Sequence, residues 1–166
     1  MRSGTVMMIA GWLLLAGLIA WVVQGQLNPN ADLLMTDGAA TEVTLKRGLD
    51  GHYSAPGLIN GQRVEFLVDT GASVVAIPTP IAQRLNLPLG SASVAHTANG
   101  TVQTYNTRLD QVTLGGLTAQ NVAGSVLPTM THDAVLLGMS FLSRFDIRMT
   151  GDEMHLSPRG GPPGPP

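Results

Sequence analysis

Residues 66–77 have the sequence FLVDTGASVVAI, in which one acidic residue and a glycine separate two apolar runs. Aliphatic runs bounded by turn residues predict two buried strands joined by a tight turn. A carboxylate at the end of a buried strand is costly unless water or hydrogen bonds solvate it, so Asp69 is the first candidate for chemistry. Gly71 is predicted to give the turn backbone freedom and to leave room for a substrate or partner chain, and the Thr70 hydroxyl to brace the turn.

This stretch also has a purely structural interpretation. Asp-Thr-Gly occurs by chance, and a strand, a polar turn and a second strand need no chemistry. The rest of the chain has to distinguish between these two interpretations.

The composition argues against several classes of function. Of the 166 residues, 44% are hydrophobic and 12% are charged, with a net charge of −2, which predicts one compact domain with appendages. No basic stripe alternates with aromatic residues, so we expect no nucleic-acid partner. The chain has no Cys, and its four His residues lack the spacing of a helical zinc site, so we expect no metal site and no cofactor.

An apolar segment at residues 6–23, VMMIAGWLLLAGLIAWVV, contains no charged residue. At ~1.5 Å per residue, a helix of this length nearly spans the ~30 Å hydrocarbon core of a bilayer. Arg2 precedes the segment and the next basic residue is Lys46, so the positive-inside rule predicts residues 1–5 in the cytoplasm and the remainder outside. A cleaved secretory signal is the alternative, although no A-x-A-like site follows Val23; both interpretations export the domain. We expect one transmembrane anchor in the inner (cytoplasmic) membrane.

The rest of the chain divides into three parts. Residues 24–40 are polar and rich in small residues, which predicts a linker, with Leu33-Leu34-Met35 able to dock on the domain or on a partner. Residues 41–156 show strand-like alternation and are predicted to be the folded domain. Residues 157–166 end in Pro and Gly, a composition that cannot build a core, and are predicted to be a disordered tail.

The folded part is predicted to be all-β with one or two short helices. Asn60-Gly61 and Asn99-Gly100 are strong signals for hairpins with two-residue turns. Thr79 and Pro80 are predicted to begin a short helix, as its N-cap and first helical residue.

Two further segments bear on function. The tip of the second hairpin, residues 97–101, is small and polar, so a mobile lid and an ordinary exposed hairpin are equal alternatives for it. Residues 134–145, AVLLGMSFLSRF, place two aliphatic residues before Gly138 and a short amphipathic helix. Alone, this pattern predicts a buried strand, a glycine turn and a helix.

In this order, the Asp-Thr-Gly stretch, the hairpin and the Leu-Leu-Gly segment resemble the retropepsin-like (clan AA) aspartic proteases, in a bacterial membrane-anchored form. The resemblance covers residues 41–156 and implies a closed acid-protease barrel, an aspartic endopeptidase activity, and a protein or peptide substrate. It implies these site residues: Asp69 as the catalytic carboxylate; Thr70, Gly71, Ala72 and Ser73 as loop support; Thr97, Ala98, Asn99, Gly100 and Thr101 as a flap over the substrate; and Leu136, Leu137 and Gly138 as the second signature block.

The resemblance also implies two chains. In this chemistry two carboxylates activate one water, whereas the sequence holds a single Asp-Thr-Gly. Two like charges held ~3 Å apart share a proton, because both cannot ionise. We therefore expect a homodimer with Asp69 of each subunit at the two-fold axis and Thr70 bracing the two loops across it. The alternatives are a non-catalytic exported peptide-binding or dimerisation module of the same fold, and a structural exported β-domain without a ligand.

Overall fold

The structure, a computed structural model, describes residues 2–27, 29–35, 42–97, 100–130 and 133–160. Within these residues, a long N-terminal helix precedes a domain that consists mostly of strands, so the predicted all-β class is confirmed. The helices are α1 (Arg2–Leu27), a 3-10 helix (Ala31–Met35), α2 (Thr79–Arg84) and α3 (Met139–Leu142). The strands are β1 (Val43–Lys46), β2 (Ser54–Ile59), β3 (Gln62–Val68), β4 (Val75–Pro78), β5 (Ala92–Thr97), β6 (Gly100–Leu114), β7 (Leu117–Leu127), β8 (Val135–Leu137), β9 (Phe145–Thr150) and β10 (Glu153–Pro158).

The strands form two sheets. The smaller sheet has the order β1-β10-β9, and the larger one has the order β2-β3-β8-β4-β7-β6-β5. An additional pairing of β2 with β6, which sets Leu58 opposite Thr113, joins the two ends of a six-stranded run. The larger sheet therefore closes into the predicted barrel, and β5 extends from it as an edge strand.

Turn chemistry sets the register of the hairpin that delivers Asp69. Asn60 and Gly61 have φ values of 50° and 77°, a left-handed conformation that these two residue types tolerate best. The turn places Ile59 opposite Gln62, and β3 then runs back along β2. This hairpin is confirmed as predicted.

The second hairpin differs slightly from its prediction. Thr97 pairs with Gly100, so its two connecting residues are 98 and 99, one position earlier than the predicted Asn99-Gly100 turn, and they lie outside the described residues. β6 continues as one strand to Leu114, because Leu109 and Gln111 keep the same register against β7 on either side of Asp110.

The core fills the barrel and extends beneath the smaller sheet. Its largest fully buried side chains come from both sheets and from α3: Phe66, Phe141, Leu45, Ile59, Ile77, Leu109, Leu114, Leu137, Leu142 and Leu156. Each such side chain stabilises the fold by about 1.5–3 kcal/mol through its removal from water. Burial of Phe141 and Leu142 fixes α3 between the barrel and β9.

The start of α2 corrects one prediction. Thr79 is not the N-cap, because β4 remains extended through Pro78, which itself occupies the N-cap position with φ −58° and ψ 142°. Thr79 is the first helical residue, and its Oγ1 is buried without a hydrogen-bond partner among the described residues.

The folded domain extends past both predicted boundaries. α1 continues to Leu27, beyond the predicted anchor, and two residues of the predicted linker, Asn30 and Leu33, pack on the domain, with Asn30 only 5% exposed. At the other end, β10 continues to Pro158, which pairs with Phe145, so residues 157 and 158 are strand rather than tail. Residues 161–166 of the predicted tail lie outside the described residues.

Helix α1 contains the predicted anchor, residues 6–23, and its side chains are described for residues 6–20. The large apolar side chains there are 45–77% exposed: Val6, Met7, Met8, Ile9, Trp12, Leu13, Leu14, Leu15, Leu18 and Ile19. Among the described residues, no helix has the length and apolarity that a membrane crossing requires.

Candidate active site

Asp69 lies where strand β3 ends. Parallel pairing with β8 sets Val68 beside Leu137, and the Asp69 N–H donates to the Leu137 carbonyl oxygen at 3.2 Å. The residue is therefore tied to the second signature block just after the regular strand has ended. Asp69 is half-buried, so its carboxylate lies at the rim of the apolar core and within reach of solvent.

The loop after Asp69 folds back on the carboxylate. Asp69 Oδ1 accepts a hydrogen bond from the Gly71 N–H at 2.8 Å, and the Ala72 N–H donates to the Asp69 carbonyl oxygen at 3.2 Å. A Cβ on Gly71 would lie 3.1 Å from Asp69 Oδ1. Gly71 does not have a positive φ, so the expected need for backbone freedom is wrong. Its lack of a side chain instead lets its N–H come close to the Asp69 carboxylate.

Gly138 packs against the same loop from behind. A Cβ at this position would clash with the carbonyl oxygen of Val74 and would lie 2.6 Å from that of Ala72. The next two residues bond to the loop, since the N–H of Met139 donates to Ala72 O at 2.8 Å and that of Ser140 donates to Ser73 O at 3.0 Å. The structure thus brings together the two segments that the sequence singled out, residues 69–73 and 136–138.

Ser140 joins three elements behind the loop. Its Oγ donates to the Ala123 carbonyl oxygen on β7 at 2.7 Å and accepts the Val75 N–H of β4 at 3.1 Å. The hydroxyl therefore fixes α3 to both strands that lie next to the loop. The sequence motifs did not single out Ser140; the available signal was a serine in the first turn of an otherwise apolar helix.

The remaining loop residues face outward. Thr70 and Ser73 are exposed, and the Thr70 hydroxyl has no hydrogen-bond partner within the described part of the chain. The bracing of the turn by Thr70 within one chain is therefore not observed. This hydroxyl remains available to a group outside the chain.

An apolar surface adjoins Asp69. Leu67 lies in β3, two residues before Asp69, which follows the end of that strand. Leu136 pairs with both Leu67 and Ala76 across neighbouring strands. Leu67 and Leu136 are only half-buried, so two paired apolar side chains near the end of β3 are partly open to solvent.

The predicted flap is a hairpin at the edge of the larger sheet. Thr97 pairs with Gly100, and the Thr101 hydroxyl lies 3.3 Å from His96 Nδ1. Gly100 and Thr101 are exposed, while Ala98 and Asn99 lie outside the described residues. The hairpin is observed, and its role as a lid over Asp69 stays a prediction.

Arg47 packs on Tyr53, a residue whose backbone supports the strand that ends at Asp69. Its guanidinium lies over the Tyr53 ring, 5.4 Å from the centroid, and Nη2 donates to the Tyr53 hydroxyl at 3.3 Å. This hydrogen bond raises the pKa of Arg47, so the side chain remains a cation. Tyr53 in turn accepts the Val68 N–H through its carbonyl oxygen, which supports the strand that ends at Asp69. Among the described residues, no group of three or more His, Cys, Asp or Glu side chains is arranged to hold a metal ion.

Comparison with known proteins points to one family. Residues 55–144 match the family model described as "gag-polyprotein putative aspartyl protease". The crystal structure of a retropepsin-like aspartic protease from Rickettsia conorii is 34% identical in sequence, with a TM-score of 0.61, over 69% of this chain and 89% of that chain.

Two curated proteins are also similar in sequence. An uncharacterized protein of Sinorhizobium sp. is 34% identical over 148 residues, which are 86% of this chain and 60% of that protein. An uncharacterized protein of Rickettsia prowazekii (strain Madrid E) is 35% identical over 107 residues, which are 63% of this chain and 46% of that protein. The chain therefore spans only part of the length of these relatives. The family match covers more than half of the chain and includes both Asp69 and the Gly138 block, and this chain belongs to the retropepsin-like aspartic protease family.

Proposed function

We propose that this protein is an aspartic endopeptidase in which the Asp69 carboxylates of two identical chains activate one water molecule. The observation that carries the proposal is the loop around Asp69. Its half-buried carboxylate is oriented by the Gly71 N–H at 2.8 Å, and the loop is fixed from behind by Met139 and Ser140. Membership of the retropepsin-like family supports the same reaction.

The proposed step uses the two carboxylates in different protonation states. The ionised carboxylate takes a proton from water while the water oxygen attacks the peptide carbonyl carbon. The protonated carboxyl of the other chain donates its proton to the carbonyl oxygen. When the C–N bond of the tetrahedral intermediate breaks, the carboxyl that took the proton from water gives it to the leaving nitrogen, and a hydroxyl proton of the intermediate returns to the other carboxylate. The products are a new carboxyl terminus and a new amino terminus.

A second copy is needed because the sequence supplies one Asp-Thr-Gly. Strand β9 offers a surface for it, since β9 is an edge of the smaller sheet. Ile147 and Met149 are 36% and 49% exposed, and they lie opposite buried Leu156 and Met154 on the same face. An edge strand that exposes apolar side chains is a template for another strand.

The position of β9 connects this surface to the site. β9 follows α3, and α3 is hydrogen-bonded to the loop at Ala72 and Ser73. A copy that pairs along β9 about a two-fold axis would therefore place its own Asp69 loop beside the first. The exposed Thr70 hydroxyl is then available to brace the two loops across the axis.

The substrate that fits is an extended polypeptide. Half-buried Leu67 and Leu136 beside Asp69 favour apolar side chains next to the bond that is cut. The β5–β6 hairpin, with small polar residues 97–101 at its tip, is suited to cover the bound peptide and pair with its backbone.

Helix α1 is proposed to be a single membrane anchor. Large apolar side chains are exposed at consecutive positions from Val6 to Ile9 and again from Trp12 to Leu15. At about 100° per residue these positions cover every face of the helix, and such a helix needs an apolar environment all round. A bilayer supplies one, whereas a partner protein would cover one stripe. The N-terminus would lie in the cytoplasm and the catalytic domain in the periplasm or outside the cell.

A peptide library tests the activity. The full chain in detergent is incubated with peptides of random sequence, beside Asp69→Asn and, as a matched control, Asp110→Asn at an exposed position on β6. We expect cleavage by the wild type and by Asp110→Asn, and a loss of at least about 1,000-fold for Asp69→Asn. Peptide binding without cleavage by the wild type would indicate the non-catalytic binding module instead.

A further inference from the structure

The Asn30 side chain connects the two sheets of the domain. Its Nδ2 donates to Lys46 O at the end of β1 (2.8 Å) and to Ser54 O at the start of β2 (2.9 Å), while its Oδ1 accepts the Lys46 N–H at 2.8 Å. β1 belongs to the smaller sheet and β2 to the barrel. Asn30 is 5% exposed, so water cannot easily satisfy the backbone groups at this junction. The amide of Asn30 supplies their hydrogen bonds in place of a neighbouring strand.

The following 3-10 helix secures the same junction. The Leu33 N–H donates to Asn30 O at 3.1 Å, and the Leu33 side chain packs on the core beside Val43 and the β6–β7 turn at Gly115. Residues 30–33 are therefore part of the folded domain rather than a free tether.

Very little chain remains between the domain and α1. The helix ends at Leu27, and Asn30 is the first buried residue among the described side chains, so only residues 28 and 29 lie between them. Three peptide steps span at most about 11 Å. Residue 29 is proline, which restricts this short connection further.

The docked segment lies close to the candidate active site. Asn30 bonds to Ser54, which pairs with Leu67, two residues before Asp69. With ~4.8 Å between strands and ~3.3 Å per residue along a strand, Asp69 lies within about 20 Å of Asn30.

We propose that Asn30 holds the catalytic cleft at a short, fixed distance from the end of α1, so that its substrates are the membrane-adjacent segments of other membrane-anchored polypeptides. The inference rests on the proposed protease activity and anchor. The four helical residues after residue 23 (about 6 Å), the connection (about 11 Å) and the Asn30–Asp69 distance (about 20 Å) together place the cleft within roughly 40 Å of the bilayer surface. Asn30 and Leu33 are held against the domain, and we place the scissile segment on another chain.

The test compares two reporters in proteoliposomes that contain the full chain. Each reporter is a single-span polypeptide with the cleavable sequence selected from the peptide library. In one reporter the cleavable sequence follows the membrane span directly. In the other, a rigid helical spacer places the cleavable sequence about 90 Å from the span. We expect the membrane-adjacent reporter to be cut at least about tenfold faster.

An insertion tests the cause of this preference. A flexible Gly-Ser segment of about 40 residues between residues 28 and 29 should bring the ratio of the two rates close to one, and the same insertion after Gly160 should leave it unchanged. All three proteins should cut the soluble peptide equally. Two results would overturn the inference even if the soluble peptide is still cut. One is that the protein without an insertion cuts both reporters at equal rates. The other is that alkaline carbonate releases the protein from membranes. Absence of peptide cleavage would instead defeat the proposed function and, with it, this inference.

Discussion

The backbone of Gly138 lies so close to the carbonyl oxygen of Ala72 that a Cβ on residue 138 would stand 2.6 Å from it. This contact fixes the loop that carries Asp69, because the next N–H, that of Met139, donates to the same oxygen at 2.8 Å. A helix terminus thus supports the candidate active site from behind. The precision of the carboxylate's position therefore depends on a residue with no chemistry of its own.

Gly138→Ala should damage both stability and activity. The methyl group has to displace backbone of the Asp69 loop, so we expect a loss of about 3 kcal/mol in the free energy of unfolding. A shift of the carboxylate by a fraction of an ångström should lower kcat at least about 100-fold. Urea unfolding and peptide cleavage measure the two effects.

Gly160→Ala provides the comparison. Gly160 has a φ of 82° but open space around it, so the substitution should cost only about 1 kcal/mol, through backbone strain. Equal stability losses for the two alanine variants would contradict the packing argument for Gly138.

Ser140 should act as a positioning residue. Ser140→Ala removes the acceptor of the Val75 N–H and the donor to Ala123 O, which should cost about 1–3 kcal/mol in unfolding free energy. Because α3 then holds the loop less firmly, kcat should fall about tenfold while KM stays nearly constant. Ser140→Thr keeps the hydroxyl and should restore most of kcat.

Ser143→Ala, at an exposed position at the end of α3, serves as the control and should leave both quantities unchanged. A Ser140→Ala enzyme with a wild-type kcat would show that the hydroxyl has only a structural role.

The β9 surface predicts the effect of a charge on assembly. Met149→Lys places a cation on the exposed apolar face of β9, which should weaken self-association at least about tenfold and make specific activity depend on protein concentration. Thr150→Lys adds the same charge on the opposite face of the strand and should have little effect. Analytical ultracentrifugation checks the result, and unchanged association of the Met149 variant would place the dimer surface elsewhere.

Asn30 should contribute strongly to stability although it precedes the predicted domain. Asn30→Ala removes the hydrogen bonds of the side chain to the backbone of Lys46 and Ser54, which are left without these partners at a buried junction, so we expect a loss of about 2–4 kcal/mol in unfolding free energy. Asp32→Ala, at an exposed position of the same 3-10 helix, should cost less than about 0.5 kcal/mol. Denaturation of both variants gives the answer, and equal midpoints would mean that the segment is only loosely attached.

The features that could be predicted from the sequence are those that depend only on residues adjacent in the chain. The Asn60-Gly61 turn needs only two residues with access to positive φ, and the apolar runs around Asp69 and before Gly138 identify buried strands by themselves. The N-cap of α2 was predicted at Thr79, one residue too late, because the sequence does not reveal that Pro78 occupies this position at the end of β4.

By itself, the sequence determined the strand class of the domain, the hairpin that delivers Asp69, and the identity of the single carboxylate in an Asp-Thr-Gly loop. These follow from local backbone preferences and from the cost of leaving an acid at the end of an apolar strand. Only the tertiary structure decided that Gly138 and Ser140 hold the loop and that Asn30 joins the two sheets. Those contacts link segments far apart in the chain, and buried hydrogen bonds and close backbone approach leave no periodic pattern in a sequence.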